Sequence, residues 1–406
     1  MPPPATAAHG LPAAAPEPVW FANLDATDRE ELFSSRGAAL LPGPEVLIVG
    51  GGVVGLAIAY FLADQGARVQ LIEAATLASG ASGANFGGIW PNDQAPAYAE
   101  SFQALAFLSR DLWGRLSLRP DFDFHWRVNG LLNVNTARFA PSAADFAARA
   151  QERGCAVQAV DALQIARLEP HLQPGFHAGL HYPSEASLHP VKAVLSLMRA
   201  ARRKGARIAA GVCAHGLQLA AGRVTAVETS AGVIEADTIV CCTGWNADWL
   251  AKAISLKLPV RPVSGQMIAT DPVRPLLKSS VLGQYLVIQL PTGEIVTGGN
   301  TAENSGLVPD RELTADFAAA AYDLLPELAG TPFTRAWCGI RPATPDGLPI
   351  LDRARGAANL WLACGHFKNG MLLAPATGKL MSDWIVRGAP SLDLAPFRAD
   401  RFGHSV

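Results

Sequence analysis

A long apolar run near the start of the chain predicts a buried strand, a tight turn and a buried helix. The segment from Val46 to Ala63 contains 18 residues without a charge. Its β-branched beginning, Val46 to Val49, is typical of a parallel strand buried on both faces. Three successive glycines interrupt the run, which favours this arrangement over a membrane-spanning helix. Arg68 to Glu73 predicts a second strand, so residues 46–73 predict one βαβ unit.

Beyond this unit the apolar pattern changes repeatedly between the helical and the strand period. The alternation from Phe122 to Asn135 predicts paired strands that turn at Asn129-Gly130. A buried strand ends near Gly244, and residues 258–298 are rich in strand signals. Helical spacing recurs in five segments: 98–116, 140–153, 161–169, 191–204 and 314–328. This order predicts an α/β chain of two domains whose segments interleave.

The first 44 residues differ in composition from the rest. Residues 1–18 are rich in Pro and Ala but lack the basic and apolar regions of a signal peptide, so we expect a flexible arm. Residues 25–33 predict a short helix with Thr27 and Glu30 as a capping box. We therefore assign residues 1–44 to a partly disordered N-terminal extension.

Charge and composition exclude several classes of partner. Lys and Arg number 33 against 35 Asp and Glu, and the longest basic cluster is Arg202-Arg203-Lys204, which predicts no nucleic-acid or anionic-membrane partner. The six cysteines include no Cys-x-x-Cys pair and are expected to be reduced core residues of a cytoplasmic protein. The histidines between His171 and His189 lack helical pairing, and we predict no metal site.

The three glycines form part of a dinucleotide-binding fingerprint. Gly50-Gly51-Gly52-Val53-Val54-Gly55 contains G-x-G-x-x-G between a predicted strand and a predicted helix. In this motif Gly50 permits the turn, Gly52 admits a pyrophosphate at the helix N-terminus, and Gly55 allows close packing. Glu73 ends the second strand, where its carboxylate would accept hydrogen bonds from ribose hydroxyls and repel the 2′-phosphate of NADP. The alternative is a structural glycine turn that binds nothing.

The fingerprint does not distinguish FAD from NAD, but longer motifs do. From about Val46 to Arg401 the sequence resembles the glycine oxidase branch of the D-amino-acid oxidase superfamily of FAD enzymes. The resemblance rests on six stretches: Ser79–Gly83, Cys242–Trp245, Pro259–Gln266, Cys338–Pro349, Gly365–Gly378 and Phe397–Arg401.

The resemblance implies a Rossmann-like FAD-binding domain interleaved with an antiparallel-sheet substrate domain. We expect residues 45–120, 186–258 and 336–406 to form the FAD-binding domain. Residues 121–185 and 259–335 are then expected to form the substrate-binding domain.

The resemblance also implies which residues contact FAD. Glu73 and Ala74 would hold the adenosine ribose, and the backbone of Ala214 would meet the adenine. Two further groups would lie along the pyrophosphate and the isoalloxazine ring: Ala81, Ser82, Phe86, Gly87 and Gly88, and Thr243, Gly244 and Trp245. A last group would surround the pyrimidine end of the ring: His366, Phe367, Lys368, Asn369, Gly370, Met371 and Leu372.

Substrate binding is expected from two cations beside the flavin. The resemblance implies that Arg341, which also lies against the flavin, binds the substrate carboxylate, for which a guanidinium fork is suited. The alternative is a structural arginine paired with Asp346. Lys368 stands where typical glycine oxidases have arginine, and it keeps the charge but loses the fork.

Other positions depart from the family pattern. Leu286 aligns with the substrate-side tyrosine of the family, and Tyr285 lies one residue away, where its side chain would face the other side of the strand. Trp90 is expected to line or shrink the pocket. Cys338 lies near the position of covalent flavin attachment in sarcosine oxidases, but we expect a buried apolar thiol and non-covalent FAD.

These features imply oxidation of a small amino acid, such as glycine, sarcosine or a small D-amino acid, to an imine and then a keto acid. Hydride would pass to flavin N5 and oxygen would reoxidise the flavin in a cytoplasmic enzyme, and the family's usual setting is thiamine biosynthesis. A dehydrogenase that passes electrons to a quinone or a partner, of the D-amino-acid dehydrogenase or cyanide-synthase type, is the second hypothesis. A third is a flavin-bearing subunit, in a homo-oligomer or a complex, whose residues 1–44 dock a partner.

Overall fold

The computed structural model describes most of the chain. The described residues are 17–94, 97–139, 142–247, 249–250, 254, 256, 258–303 and 306–403. The predicted flexible arm lies outside them except for its last two residues, which directly precede the first helix.

The α-helices and β-strands of the described residues have the following bounds. The helices are α1 (Val19–Ala22), α2 (Ala26–Ser34), α3 (Val53–Asp64), α4 (Pro91–Gln94), α5 (Glu100–Ser117), α6 (Ala143–Glu152), α7 (Ala162–Leu168), α8 (Pro190–Arg203), α9 (Arg311–Leu324) and α10 (Gly370–Arg387). The strands are β1 (Val46–Val49), β2 (Val69–Glu73), β3 (Gly88–Ile89), β4 (Leu131–Asn133), β5 (Gln158–Asp161), β6 (Ala178–Tyr182), β7 (Ala186–Ser187), β8 (Arg207–Ala210), β9 (Ala214–Ala220), β10 (Arg223–Thr229), β11 (Gly232–Glu235), β12 (Thr238–Cys241), β13 (Arg261–Thr270), β14 (Ser280–Leu282), β15 (Leu286–Gln289), β16 (Ile295–Gly298), β17 (Phe333–Ala343), β18 (Ile350–Arg353) and β19 (Leu360–Cys364).

A six-stranded sheet contains the predicted βαβ unit. Its order is β18-β19-β12-β1-β2-β8. All neighbours are parallel except the edge pair β18 and β19. α3 connects the parallel strands β1 and β2, which confirms the βαβ prediction. The residues of β1 are buried on both faces: Val46 and Ile48 share a core with helices α3 and α8, and Leu47 and Val49 share one with the meander of β9 to β11.

The second large sheet has eight strands. Its order is β17-β13-β16-β15-β14-β4-β6-β5, and its pairs are antiparallel except β4 with β14. The two large sheets take their strands from alternating stretches of the chain, as predicted. The predicted boundary at residue 336 falls within β17, which stays in the eight-stranded sheet to Ala343. A three-stranded meander, β9 to β11, and the short pair β3 and β7 complete the sheets.

Close helix contacts hold the nucleotide half together. α3 and α10 cross where Gly378 faces Ala57, because a Cβ on Gly378 would lie 2.8 Å from the backbone of Ala57. Among the described helices, none is long and apolar enough to cross a membrane.

Two local predictions are wrong. The alternation from Phe122 to Asn135 contains one strand, β4, rather than a pair of strands that turns at Asn129-Gly130. Phe122 and Phe124 form no strand; their rings pack edge-on against Tyr60 and Trp113, so this half of the alternation reflects helix contacts.

The predicted capping box at Thr27 is also wrong. Asp25 is the N-cap of α2 and accepts from the Asp28 amide at 2.8 Å, since an aspartate just before the helix satisfies the same free N–H group.

The cysteines are free, but not all are core residues. Cys155, Cys241, Cys242 and Cys364 are buried, Cys338 is half-buried and Cys213 is exposed. The core assignment therefore fails for Cys213, which lies in the turn that leads into β9.

Candidate functional site

The glycine fingerprint forms a tight turn between β1 and α3. Gly50 has a φ of +119°, and a Cβ there would lie 2.4 Å from the carbonyl oxygen of Cys242. A Cβ on Gly55 would lie 2.1 Å from the Gly50 carbonyl oxygen. Gly52 differs, because its Cβ would contact only the Ser82 hydroxyl, at 3.1 Å. The turn therefore needs Gly50 and Gly55 for its own packing, whereas Gly52 keeps space free beside it.

The N-terminus of α3 faces that space. Gly52 is the N-cap and provides no side chain, so the first-turn amides of Val53 and Val54 depend on other partners. The Val53 amide donates to the Ser82 hydroxyl at 3.0 Å, and that hydroxyl retains a proton to donate. Free N–H groups and the helix dipole at such a terminus suit a phosphate.

Glu73 lies at the end of β2 beside the turn. Its carboxylate accepts from the Gly51 amide at 2.7 Å and from the Ala75 amide at 2.8 Å. Burial raises the pKa of the carboxyl group, and these backbone donors oppose that shift. The Glu73 carbonyl accepts from the Val212 amide at 2.9 Å, which brings the start of β9, at Ala214, to the same edge. The three residues predicted for the adenosine side, including Ala74, thus lie together.

A loop after β2 runs from the helix terminus toward the second sheet. Asn85 holds it by donating from Nδ2 to the Ala81 and Ser82 carbonyls at 3.0 and 2.8 Å and by accepting from the Gly87 amide at 2.8 Å. A Cβ on Gly87 would lie 2.1 Å from the Leu188 carbonyl oxygen, so this crossing requires glycine.

The other predicted residues of the loop reach the second sheet. The ring of Phe86 lies 3.2 Å from a Cβ placed on Gly299, and Gly88 pairs with Ser187 in the short sheet. Sequence reasoning did not identify Asn85, although asparagine is common in turns because its side chain bonds the backbone two residues on, as it does here at Gly87.

Thr243, Gly244 and Trp245 leave β12 directly beside the glycine turn. The Cys242 amide donates to the Val49 carbonyl at 2.8 Å, which fixes this connection against the end of β1. Gly244 has a φ of +64°. The segment therefore borders the same crevice at the carboxyl ends of the parallel strands, where α/β sheets bind ligands.

The segment from His366 to Leu372 ends in the N-terminus of α10. Phe367 has a φ of +47°, a conformation that costs energy for a residue with a side chain. His366 is buried, its Nε2 lies 3.1 Å from the Thr377 hydroxyl, and burial lowers its pKa to about 3, so its ring is neutral. Trp113 donates to the Met371 carbonyl at 2.9 Å.

Four other predicted residues of this segment surround the helix start. Lys368 and Asn369 belong to the single turn that precedes α10, and Gly370 and Leu372 belong to its first turn. The helix terminus is thereby fixed toward the crevice.

Arg341 lies on β17 with its guanidinium group across Gly265 of the neighbouring strand. A Cβ on Gly265 would lie 2.2 Å from Nη1, so only glycine leaves room. Nη1 donates to the Asn300 carbonyl at 2.9 Å and to the Ser264 carbonyl at 3.3 Å. Burial lowers the pKa of Arg341, but an arginine keeps its charge in proteins.

The alternative structural pairing of Arg341 is wrong. Asp346 accepts instead from Arg401, at 2.8 Å. No carboxylate among the described residues forms an ion pair with Arg341, and its Nη2 and Nε remain free to bind an anion.

Lys368 lies within electrostatic reach of Arg341, Arg138 and Asp93. Among the described residues it forms no hydrogen bond or ion pair. Its side chain is exposed, yet the surrounding protein lowers the pKa of its amine by desolvation first, with Arg138 and Arg341 adding to the effect and Asp93 opposing it. The site therefore carries two cations that lack a carboxylate partner at contact distance.

Asp93 and Arg138 border a cavity that sequence reasoning missed. Their charged groups are 3.6 Å apart, and burial raises the pKa of Asp93. The cavity has a volume of about 160 Å³, and Tyr182 and Phe146 also line it. No spacing signal connects these residues, because they come from separate segments.

Leu286 and Tyr285 face opposite sides of the eight-stranded sheet. Cross-strand register from β17 through β13 and β16 to β15 puts Leu286 on the same face of the sheet as Arg341. Tyr285 faces the other side, where its hydroxyl donates to Asp316 and its ring contacts Phe317. Trp90 packs partly buried in the same core region as Leu286.

Cys338 occupies an alternate position of β17, on the opposite face of the sheet from Arg341. Burial raises the pKa of its thiol, which disfavours the thiolate. The described residues contain no cluster of His, Cys, Asp or Glu suited to a metal ion.

The described residues fit a bound flavin dinucleotide. Open space at Gly52, the α3 terminus and the Glu73 carboxylate lie at the carboxyl ends of β1 and β2, and the α10 terminus follows β19 of the same sheet. These groups are the ones that a pyrophosphate, a ribose and an electron-rich ring require.

Comparisons with known proteins agree with this geometry. The family model described as FAD dependent oxidoreductase (DAO) matches residues 45–384. A glycine oxidase of Pseudomonas putida is 34% identical over 371 residues, which cover 87% of this chain and 97% of that protein. The hydrogen cyanide synthase subunit HcnC of Pseudomonas aeruginosa is 26% identical, over 88% of this chain and 96% of that protein. The crystal structure of glycine oxidase from Geobacillus kaustophilus superposes with a TM-score of 0.81 at 27% identity, covering 89% of this chain and 99% of that one.

Proposed function

Because the chain belongs to the DAO family of FAD-dependent oxidoreductases, we propose that it oxidises the CH–NH bond of a small amino acid. The substrate is glycine, sarcosine or a small D-amino acid, and the imine product hydrolyses to a keto acid. The expected FAD cofactor and D-amino-acid oxidase fold are confirmed by the family match and the structural neighbour. The half-buried guanidinium of Arg341, which has no carboxylate partner among the described residues, is the observation that carries the choice of an amino-acid substrate.

Arg341 would bind the substrate carboxylate. Two backbone carbonyls hold Nη1, which fixes the plane of the fork and leaves Nη2 and Nε to donate. When the carboxylate is held in this way, the surrounding pocket directs the Cα–H and the amine. This fixed orientation lowers the activation barrier of the oxidation. FAD, when bound, supplies the N5 atom that accepts the hydride. Lys368 would add positive charge at the rim.

The other predicted contacts would hold the cofactor. The N-terminus of α3 with Gly52 and Ser82 would bind the pyrophosphate, and Glu73 would bind the ribose. The N-terminus of α10 would face the pyrimidine end of the ring, where its dipole stabilises negative charge.

The position of Leu286 favours small or alkyl substrates. Leu286 lies on the Arg341 face where the resemblance implies the family's tyrosine, so no phenol from β15 would bind the amine. Glycine is therefore one member of the substrate class rather than its defining one.

Anaerobic titration tests this proposal. Purified protein is mixed with glycine, sarcosine, D-alanine, D-proline and larger D-amino acids, and loss of flavin absorbance is followed. We expect at least one small amino acid to bleach the flavin and large D-amino acids to do so more weakly. Bleaching by none of them contradicts the proposal.

The electron acceptor defines a second candidate. The similarity to an HcnC subunit supports an enzyme that passes electrons to a quinone or a partner protein. Admitting oxygen after anaerobic bleaching separates the two candidates. Rapid recovery of absorbance with one hydrogen peroxide per turnover supports the oxidase, and slow recovery that a soluble quinone accelerates supports the dehydrogenase.

A cytoplasmic location is part of the proposal. The six cysteines are free, which is the state that a reducing compartment maintains. Fractionation of the host cells followed by immunodetection tests it, and recovery from the oxidising compartment would contradict it.

A further inference from the structure

Residues 17–36 pack on the chain itself, outside the part that the family model matches. The match begins at residue 45, whereas Val19, Trp20, Phe21 and Leu32 are buried, with Trp20 only 2% exposed. Burial on this scale is unexpected in a segment that waits for a partner. The apolar side chains of the segment therefore serve an intramolecular role.

Trp20 contacts the loop that joins the two ends of the flavin site. Its indole N–H donates to the Asn85 carbonyl at 2.7 Å. Asn85 is the residue whose side chain holds this loop together through three backbone groups, at Ala81, Ser82 and Gly87. The indole thus fixes the backbone of the residue that shapes the loop.

Phe21 covers the same loop from the side. A Cβ on Gly83 would lie 2.6 Å from the Phe21 ring. Beyond it, Ala84 touches β17, because a Cβ on Gly339 would lie 2.9 Å from that of Ala84. Gly339 is two residues before Arg341. Movement of this loop would therefore disturb both the helix terminus that Ser82 contacts and the strand that carries the arginine.

Ion pairs anchor the segment to α8. Arg199 donates to Asp28 and to Glu31, both at 2.7 Å, and Lys192 lies 2.7 Å from Asp28. The anchoring carboxylate of Asp28 is buried. Such a network holds the helix in one position rather than letting it slide along the surface.

The C-terminal end of residues 17–36 contacts the part of the structure where the adenosine of FAD is expected. Arg36 donates to the Thr76 hydroxyl at 2.9 Å, and the Ser35 carbonyl accepts from the Ala210 amide at 2.8 Å. Ala210 is the register partner of Glu73. One short segment thus contacts the structure around both ends of the dinucleotide crevice.

We propose that residues 17–36 form a clamp that holds the 81–88 loop in its cofactor-binding shape, with Trp20 and Phe21 as its positioning residues. The clamp increases the affinity for FAD. This role rests on FAD as the cofactor and is independent of which amino acid is oxidised.

The test compares FAD affinity in three full-length variants. Trp20→Phe keeps an apolar ring but loses the N–H donor, and Phe21→Ala uncovers Gly83. Asn23→Ala is the matched control, because Asn23 donates to Thr292, away from the loop, at 3.0 Å. The FAD Kd is measured from the fluorescence of released FAD without any amino acid present, and the melting temperature of each FAD-free protein is recorded.

We expect Trp20→Phe to raise the FAD Kd about 3- to 10-fold, the range that corresponds to one net hydrogen bond. Phe21→Ala should raise it further, and Asn23→Ala should leave it unchanged. The FAD-free melting temperature of Trp20→Phe should stay near the wild-type value. An unchanged FAD Kd in Trp20→Phe, or an equal rise in Asn23→Ala, would overturn the clamp. Failure of every amino acid to bleach the flavin would refute only the proposed function.

Discussion

Replacing Arg341 tests the part of the proposal that depends most directly on structure. Arg341→Ala removes one of the two cations at the site that form no ion pair with a carboxylate among the described residues. Arg341→Lys keeps the charge. Its single nitrogen, however, cannot bond the two backbone carbonyls and also bind a carboxylate through two parallel N–H groups. The matched control is Arg335→Ala, which removes an exposed arginine from the same strand.

The size of the effect follows from burial. Leaving a buried charge without its partner costs about 2–5 kcal/mol, which corresponds to about 30-fold to several thousand-fold in substrate Kd. The Asn300 carbonyl also loses its donor, at a cost of about 1 kcal/mol for one net hydrogen bond, whereas the Ser264 carbonyl still accepts from the Ala302 amide at 3.0 Å. We therefore expect a small loss of thermal stability beside a large loss of substrate affinity. Arg341→Lys should lie between Arg341→Ala and the wild type.

Stopped-flow reduction under anaerobic conditions separates these effects. The rate of flavin bleaching is measured against substrate concentration for each variant, with FAD content determined from the oxidised spectrum. Arg341→Ala should retain FAD while the substrate Kd rises, and Arg335→Ala should match the wild type. A substrate Kd in Arg341→Ala within about threefold of wild type would refute the assignment of the carboxylate to this arginine.

Three further outcomes follow from the site geometry. Gly55→Ala should not fold, because its Cβ would lie 2.1 Å from the Gly50 carbonyl, whereas Gly52→Ala should fold but bind FAD at least about tenfold more weakly; soluble yield and FAD titration distinguish them. Lys368→Ala should raise the KM about tenfold with a smaller change in kcat, and Lys368→Arg should restore it, as steady-state kinetics would show. The pKa of His366 is about 3 in the folded chain, against an ordinary value of 6.5. Between these pH values the unfolded chain binds more protons than the folded chain. The His366 contribution to the free energy of unfolding is therefore lost as the pH falls below 6.5. Denaturant unfolding of wild type and His366→Asn should therefore give a difference in free energy that is constant above pH 6.5 and changes by about 1.4 kcal/mol per pH unit below it.

The nucleotide half of the fold was predictable because its signals are local. A β-branched strand, a glycine turn and an apolar helix are contiguous from Val46 to Ala63, and an acid ends the next strand. Each element of this unit is fixed by neighbours close in sequence. The long motifs around Arg341 and His366 then identified the second site region through resemblance to a family rather than through spacing.

The sequence pattern did not predict features that depend on contacts between residues far apart in the chain. Asp93 and Arg138 meet across the cavity although 45 residues separate them, and neither stands in a motif. The indole of Trp20 reaches the Asn85 carbonyl over 65 residues. The alternation from Phe122 to Asn135 predicted strand pairing because burial against a helix and burial against a sheet select the same apolar residues. Only the tertiary partner distinguishes the two cases.

The positions of Leu286 and Tyr285 show how one residue of register changes the chemistry of the pocket. In β15 successive side chains face opposite sides of the sheet, and Leu286 shares its face with Arg341. Tyr285 instead contacts α9 through Asp316 and Phe317, so its hydroxyl is already engaged away from the pocket. A substrate amine bound on this face would therefore meet no phenol from β15. If Arg341 binds the substrate carboxylate as proposed, its guanidinium plane, held at Nη1 by two backbone carbonyls, would set the orientation of the substrate, and we expect the enzyme to select substrates by size more than by hydrogen-bonding groups.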